Sequence, residues 1–132
     1  MSNLASKFLG KYAARVEAER RRARKERIER LTASRPYMTS IRECVSSAGL
    51  SPRGALVLAR ADAPNRADMH AYMLHRISVN YASALELSVV MTRTENPWEF
   101  DRLLFLLMMM DGDAFCCADE LQHLRAPDIT VN

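Results

Sequence analysis

A run of charged side chains from Glu17 to Arg30 limits what this chain can fold into more than any other feature of its sequence. The run reads EAERRRARKERIER, in which half of the residues are Arg or Lys and only two alanines and one isoleucine are apolar. Arg, Glu, Lys and Ala favour helix, but a helix that is polar on every side buries nothing by itself. This segment therefore projects into solvent, bridges other parts of the protein or contacts a charged partner. The hydrophobic core has to be formed by other segments of the chain.

The rest of the chain supplies that core as helices. Nearly half of the 132 residues are apolar, glycine and proline number only 4 and 5, and no strand-like alternation occurs. We predict an all-α protein, a compact bundle of about five to six helices with a long, projecting basic N-terminal helix. Residues 1–35 form the basic helix, with eleven cations against four acids, and residues 36–132 form the helical body, with eight cations against twelve acids and a short loose C-terminal tail.

Cap residues, prolines and glycines predict where the helices begin and end. Pro36 is predicted to end the first helix, because the residue before a proline avoids the helical conformation. Gly49 is predicted to end a short second helix. Ser51-Pro52 and Asn96-Pro97 each combine an N-cap residue with a proline at the first helical position, and the second of these is the clearest start signal in the chain.

The most apolar segment, LLFLLMMM at Leu103–Met110, belongs to the helix that starts after Asn96. It is apolar nearly all round, so we expect it at the centre of the core, with a homo-oligomer interface as the alternative. Its length is far below the roughly 18 residues that a membrane span requires. Asp111-Gly112 is predicted to end this helix and Asp113 to cap a sixth one, while Asp62 is predicted to cap the helix that runs to Thr92.

Few residues indicate covalent or metal chemistry. An odd number of cysteines with one adjacent pair is a poor disulfide framework, so we expect a reducing, cytoplasmic compartment; they are Cys44, Cys116 and Cys117. His70 and His75 are five residues apart, off the spacing that places two ligands on one helix face. Because no nucleophile elbow, phosphate loop or zinc motif is present, we expect no enzyme, no cofactor and no metal site.

The segment Ser46–Arg60 has the outline of a helix-turn-helix, with a glycine at the turn and a Ser-Pro helix start. Its second helix, however, is continuously apolar over Ala55–Ala59, which leaves only Arg53 and Arg60 to contact bases. A buried hairpin of two helices explains this segment better.

The charges of the basic helix are partly sorted into two sides. On a helical wheel of about 100° per residue, Arg20, Arg24 and Arg27 share one side. Most of the glutamates lie opposite, while Glu17 stands near the basic side. Arginine outnumbers lysine, and its planar fork binds phosphate or carboxylate at two points. The run resembles the arginine-rich helices that some RNA-binding regulators insert into folded RNA, which implies contact with nucleic acid.

These features predict a non-catalytic, small nucleic-acid-associated regulatory or accessory protein that docks an Arg-rich helix on a phosphate backbone. Three arginines make the central contacts and four cations flank them: Arg20, Arg24 and Arg27, then Arg21, Arg22, Lys25 and Arg30. Three more cations upstream extend the site, Lys7, Lys11 and Arg15. The alternative is a helical adaptor or inhibitor whose basic helix occupies an acidic or nucleic-acid-binding groove of a larger complex. The expected partner is therefore RNA, DNA or an acidic protein surface.

Overall fold

A computed structural model describes the backbone of residues 2–125 and the side chains of residues 3–124. It contains four α-helices, α1 Ser2–Ser47, α2 Pro52–Arg60, α3 Met69–Arg93 and α4 Pro97–Arg125. No strand occurs in this part of the chain, so the predicted all-α class is confirmed, while the predicted five to six helices are too many. The C-terminal tail predicted to be loose, residues 126–132, lies outside the described residues.

The first two predicted helices are one helix, because Pro36 lies inside α1 instead of ending it. A proline has no amide proton, so the carbonyl of Thr32 loses its helical donor, at a cost of about 3 kcal/mol. Beyond Pro36, however, one face of α1 stays in register with the core, with buried side chains at Met38, Ile41, Cys44 and Val45. Burying a side chain the size of Met, Ile or Val contributes roughly 1.5–3 kcal/mol, so the burial of this row outweighs the proline.

The predicted fifth and sixth helices are also one helix, because α4 continues through Asp111-Gly112. A glycine inside a helix costs only about 1 kcal/mol relative to alanine. Among the described residues only Gly49, in the turn after α1, has a positive φ, of 79°. Continuing the helix keeps three further buried side chains on the face of Leu107, namely Ala114, Cys117 and Leu121.

The two Ser-Pro and Asn-Pro start signals work as predicted. The Ser51 hydroxyl accepts a hydrogen bond from the Gly54 amide at 2.9 Å, and α2 begins at the next residue. The Asn96 side-chain oxygen accepts from the Trp98 amide at 2.9 Å and from the Glu99 amide at 3.3 Å. Each cap satisfies amide protons that the first turn of a helix leaves without a partner.

The start of α3 differs from the prediction, because Asp68 caps it and Asp62 does not. The Asp68 carboxylate accepts a hydrogen bond from the Ala71 amide at 3.2 Å. Just before it, the Asn65 side chain accepts from the Ala67 amide at 2.9 Å. This local turn competes with helix formation. The chain from Ala61 to the cap at Asp68 therefore stays non-helical, although it contains a proline that would suit the first turn of a helix.

The chain divides into two compact units, Met1–Ala33 and Ser34–Asn132. In the second unit α3 packs on both α2 and α4. Its largest fully buried side chains are Phe100, Ile41, Ile77, Met91, Leu107 and Leu121. Among the described helices, none combines the length and the apolar character that crossing a bilayer demands.

Candidate functional site

The basic side chains of α1 lie on a helix and reach into solvent. Arginine, glutamate and alanine lose little conformational entropy in a helix. The charged run from Glu17 to Arg30 is helical throughout, as part of α1. Five of the seven cations in the run are exposed, while Arg27 and Arg30 are partly covered. The helix thus displays a dense set of guanidinium groups along a length of roughly 20 Å, at 1.5 Å per residue.

Helix geometry spreads these cations over a broad arc. With about 100° between successive residues, Arg30, Arg27, Arg20 and Arg24 follow one another around the helix, and Arg21 and Lys25 complete an arc of about 220°. Only Arg22 lies beyond it, among the glutamates. Arg20, Arg24 and Arg27 therefore lie on one side of α1, as the sequence predicts. The other cations of the arc lie on both sides of this cluster.

One acid interrupts the arc. The Glu17 carboxylate accepts a hydrogen bond from Arg21 Nε at 3.3 Å and another from Arg24 Nη2 at 3.4 Å. The first pair has the four-residue spacing that favours ion pairs on a helix surface. The second spans seven residues, two full turns, and is reached only because the arginine side chain is long. All three side chains remain about half exposed or more, so each pair contributes little to stability.

An apolar stripe precedes the basic run on the same helix. Leu4, Phe8 and Tyr12 recur every four residues, with Leu9 beside them, and all four are largely exposed, Phe8 by 71%. The three upstream cations of the predicted site are exposed along its edge, Lys7, Lys11 and Arg15. A helix with an apolar face and a basic border has the composition of a segment that docks on another surface.

A polar cluster that sequence reasoning missed lies between α3 and α4. Asp113, predicted as a helix cap, instead accepts hydrogen bonds through both carboxylate oxygens. One bond comes from the Arg76 guanidinium, and the other comes from Asn80 Nδ2 at 2.7 Å. Arg76 also stands 5.8 Å from the centre of the Tyr72 ring. No local sequence pattern predicts these hydrogen bonds, because the two residues that each bond joins are more than thirty positions apart in the chain. The cluster ties two helices together.

The two buried thiols of the second unit are poor nucleophiles. All three cysteines are free, with Cys44 and Cys117 buried and Cys116 exposed. Burial, followed by the negative charge of Asp113, raises the pKa of Cys117 from 9.0 to about 11. Burial is also the main cause of a raised pKa at Cys44. Since the thiolate is the reactive form, neither buried cysteine is activated at neutral pH.

The histidines take part in local contacts. A His75 ring nitrogen lies 3.1 Å from the Ala61 carbonyl oxygen, and the His123 Nδ1–H group donates to the Asp119 carbonyl at 2.8 Å. This bond, with the charge of Asp119, raises the pKa of His123. Within the described part of the chain, no three His, Cys, Asp or Glu side chains are grouped closely enough to hold a metal ion.

The apolar segment Leu103–Met110 does not lie wholly inside the core. Leu107 is fully buried, but Phe105 and Met109 are 60% and 57% exposed. One side of α4 therefore packs on the core, and the other presents apolar side chains to solvent. The prediction of a central core helix is correct for one face only.

A comparison of the chain with models of protein families, with curated proteins and with solved structures finds no match. Three surfaces are then available to carry a function: the basic arc, the apolar stripe beside it and the exposed face of α4. Of these, the basic arc has the most definite ligand chemistry, because guanidinium groups in this density bind anions.

Proposed function

We propose that this protein is a non-catalytic, nucleic-acid-associated regulatory or accessory protein that docks its Arg-rich helix on a phosphate backbone. The observation that carries the proposal is the arc of six cations between Arg20 and Arg30, of which five are arginines and four are exposed. A flat acidic surface would meet only one side of such a helix. A groove with a row of phosphates on each wall would contact the central arginines and the cations on both sides of them at the same time.

The dimensions of the helix suit such a groove. An α-helix with its side chains is about 10–12 Å across, and the major groove of B-form DNA is about 12 Å wide. In folded RNA the regular deep groove is too narrow for side chains, so an RNA target would need a bulge or loop that opens it. Arg20, Arg24 and Arg27 form the central contacts, and docking draws on the entropy of the counterions that the phosphates release.

Salt dependence tests this proposal directly. Fluorescence anisotropy with a labelled DNA duplex and with a bulged RNA hairpin measures affinity between about 50 and 300 mM salt. For duplex DNA the slope of log K against log salt is about −0.9 per phosphate neutralised. The triple variant R20Q/R24Q/R27Q, which keeps helix propensity, should therefore flatten the slope by up to about 2.7.

A matched control separates the site from net charge. Arg53, Arg60 and Arg93 are exposed on α2 and α3, and R53Q/R60Q/R93Q removes the same charge from the second unit. This variant should leave the slope unchanged, while circular dichroism checks that both proteins stay helical. Absence of binding to either nucleic acid at about 50 mM salt, or equal loss in both triple variants, would overturn the proposal.

A second function is favoured by the apolar stripe beside the cations. Phosphate docking makes no use of Leu4, Phe8 and Tyr12, whereas a helix that lies in a groove of a protein buries such residues at successive turns. In this alternative the chain is an adaptor or inhibitor, and its arginines meet carboxylates on the rim of that groove. The variant F8S/Y12S should then abolish a stoichiometric protein complex while leaving nucleic-acid affinity within twofold of wild type.

A further inference from the structure

The outer face of α4 is an apolar surface that no part of the described chain covers. Trp98 is 82% exposed, and four more large side chains on this side of the helix are exposed by about half: Phe105, Leu106, Met108 and Met109. The spacing from Trp98 to Phe105 is seven residues and from Phe105 to Met109 is four, which places them along one side. Leu107, between them in sequence, points into the core.

The size of this surface indicates that it is an interface. A Phe or Trp side chain carries roughly 150–250 Å² of surface, and with the somewhat smaller Leu and Met side chains these five expose on the order of 600 Å² together. That area is at the upper limit of the apolar patches found on monomeric proteins. Two such faces pressed together would bury about 1,200 Å², which is where stable protein interfaces begin.

The charged residues beside this face indicate which kind of partner it suits. Asp101 and Arg102 border the apolar side chains and cancel each other, and Glu99, beside Arg102 and Leu106, leaves one negative charge at the edge. A strongly charged partner would therefore gain little electrostatic attraction here, whereas a second copy of this nearly neutral surface meets little repulsion. Methionine adds an adaptable side chain that fills irregular gaps, and most soluble oligomers are symmetric pairs of identical chains.

We propose that a second copy of this chain docks on the face, with the two α4 helices antiparallel about a two-fold axis through Phe105. In this register residues at equal distances before and after Phe105 lie opposite each other. Trp98 of one copy, seven residues before the axis, meets Gly112 of the other, seven residues after it. Gly112 is exposed, and a Cβ atom built on it would contact nothing within 4 Å, so the indole ring has room to lie against the bare backbone.

A hollow on the same face fits the same register. Its volume is about 390 Å³, and it is lined by Trp98, Asp101, Arg102, Phe105 and Leu106. Arg102, the middle one of these lining residues in sequence, lies three residues before the axis, and the residue three positions after the axis is Met108. The Met108 side chain of each copy would enter the hollow of the other. Knob and hole thus lie on one helix, which is what an isologous interface requires.

The single tryptophan of the chain makes this association measurable. Size-exclusion chromatography with light scattering should show a dimer at micromolar concentration. Trp98 emission should shift to the blue as concentration rises, because the ring leaves water. F105E should weaken the dimer at least tenfold and remove the shift. V57E is the matched control, since Val57 is 66% exposed on α2, and it should dimerise as wild type does.

A second variant tests the register. G112L should improve helix propensity and fill the space opposite Trp98, so it should weaken the dimer while circular dichroism shows an intact fold. A monomer at all concentrations, or a dimer that persists in F105E, overturns the proposal. A dimer lost in F105E but unaffected by G112L overturns the antiparallel register. A dimer lost only on deletion of residues 2–16 assigns the association to the apolar stripe of α1 and likewise overturns it.

Discussion

The phosphate-docking proposal predicts that removing one acid should strengthen binding. Glu17 stands within the basic arc, and its carboxylate accepts hydrogen bonds from Arg21 at 3.3 Å and Arg24 at 3.4 Å. It therefore competes with phosphate for two guanidinium groups. E17Q keeps the length and helix propensity of the side chain and removes only its charge, so we expect tighter binding to nucleic acid than in wild type.

The distances set the size of this effect. A phosphate bound by Arg24 at about 4 Å would lie roughly 7 Å from the Glu17 carboxylate, where two like charges repel by about 0.6 kcal/mol in water and about 2.4 kcal/mol at an effective dielectric constant near 20. Salt at 0.1 M has a Debye length of about 10 Å and roughly halves these values. E17Q should then gain about 0.3–1.2 kcal/mol, which is about 2- to 8-fold in affinity.

Fluorescence anisotropy at 100 mM salt measures this gain, and E26Q is its control. Glu26 belongs to the glutamates on the side of α1 opposite the arginine cluster, so both variants change the net charge by the same amount. We expect E26Q to bind within about twofold of wild type. Equal gains in both variants would mean that only net charge matters, and no gain in E17Q would refute the assignment of Arg21 and Arg24 to the phosphate site.

Two further predictions concern the second unit. D113A should lower the free energy of unfolding by about 2 kcal/mol, since charge-assisted hydrogen bonds contribute roughly 1.5–3 kcal/mol and less where solvent reaches them. A double-mutant cycle with R76A in urea should give a coupling of about 1 kcal/mol, and a value near zero would show that the cluster does not stabilise the fold. Because the pKa of Cys117 is raised from 9.0 to about 11, the unfolded chain loses that proton first, and stability should fall between about pH 9 and 11. The loss is about 1–2 kcal/mol after allowance for solvent, and urea unfolding of C117A should lack this part of the pH dependence.

The starts of α2 and α4 were predictable from the sequence because they are decided locally. Ser51 and Asn96 hold the amides of the turns that follow them, and only a few neighbouring residues determine those bonds. Pro36 and Gly112 were misread as ends for the opposite reason. Whether a helix continues past such a residue depends on what its next turns bury, and burial depends on contacts with distant segments that a single sequence does not reveal.

The candidate site was predictable to a similar degree. The side of α1 that carries Arg20, Arg24 and Arg27 follows from helix geometry alone. The hydrogen bond between Arg24 and Glu17 does not, since it depends on the rotamers of two long side chains. For the apolar run of α4 the sequence left open both the centre of the core and a homo-oligomer interface, because an apolar run indicates burial without saying whether the covering surface belongs to the same chain.

The packing of α3 against both its neighbours has a consequence for how the chain is made. Ribosomes add roughly 5–20 residues per second, and a domain generally folds as a unit. The 29 residues of α4 take about 1.5–6 s to synthesise, during which the side of α3 that it covers is open. In that interval the nascent chain exposes much of the surface it will later bury, and a chaperone that recognises apolar helices would find its target there.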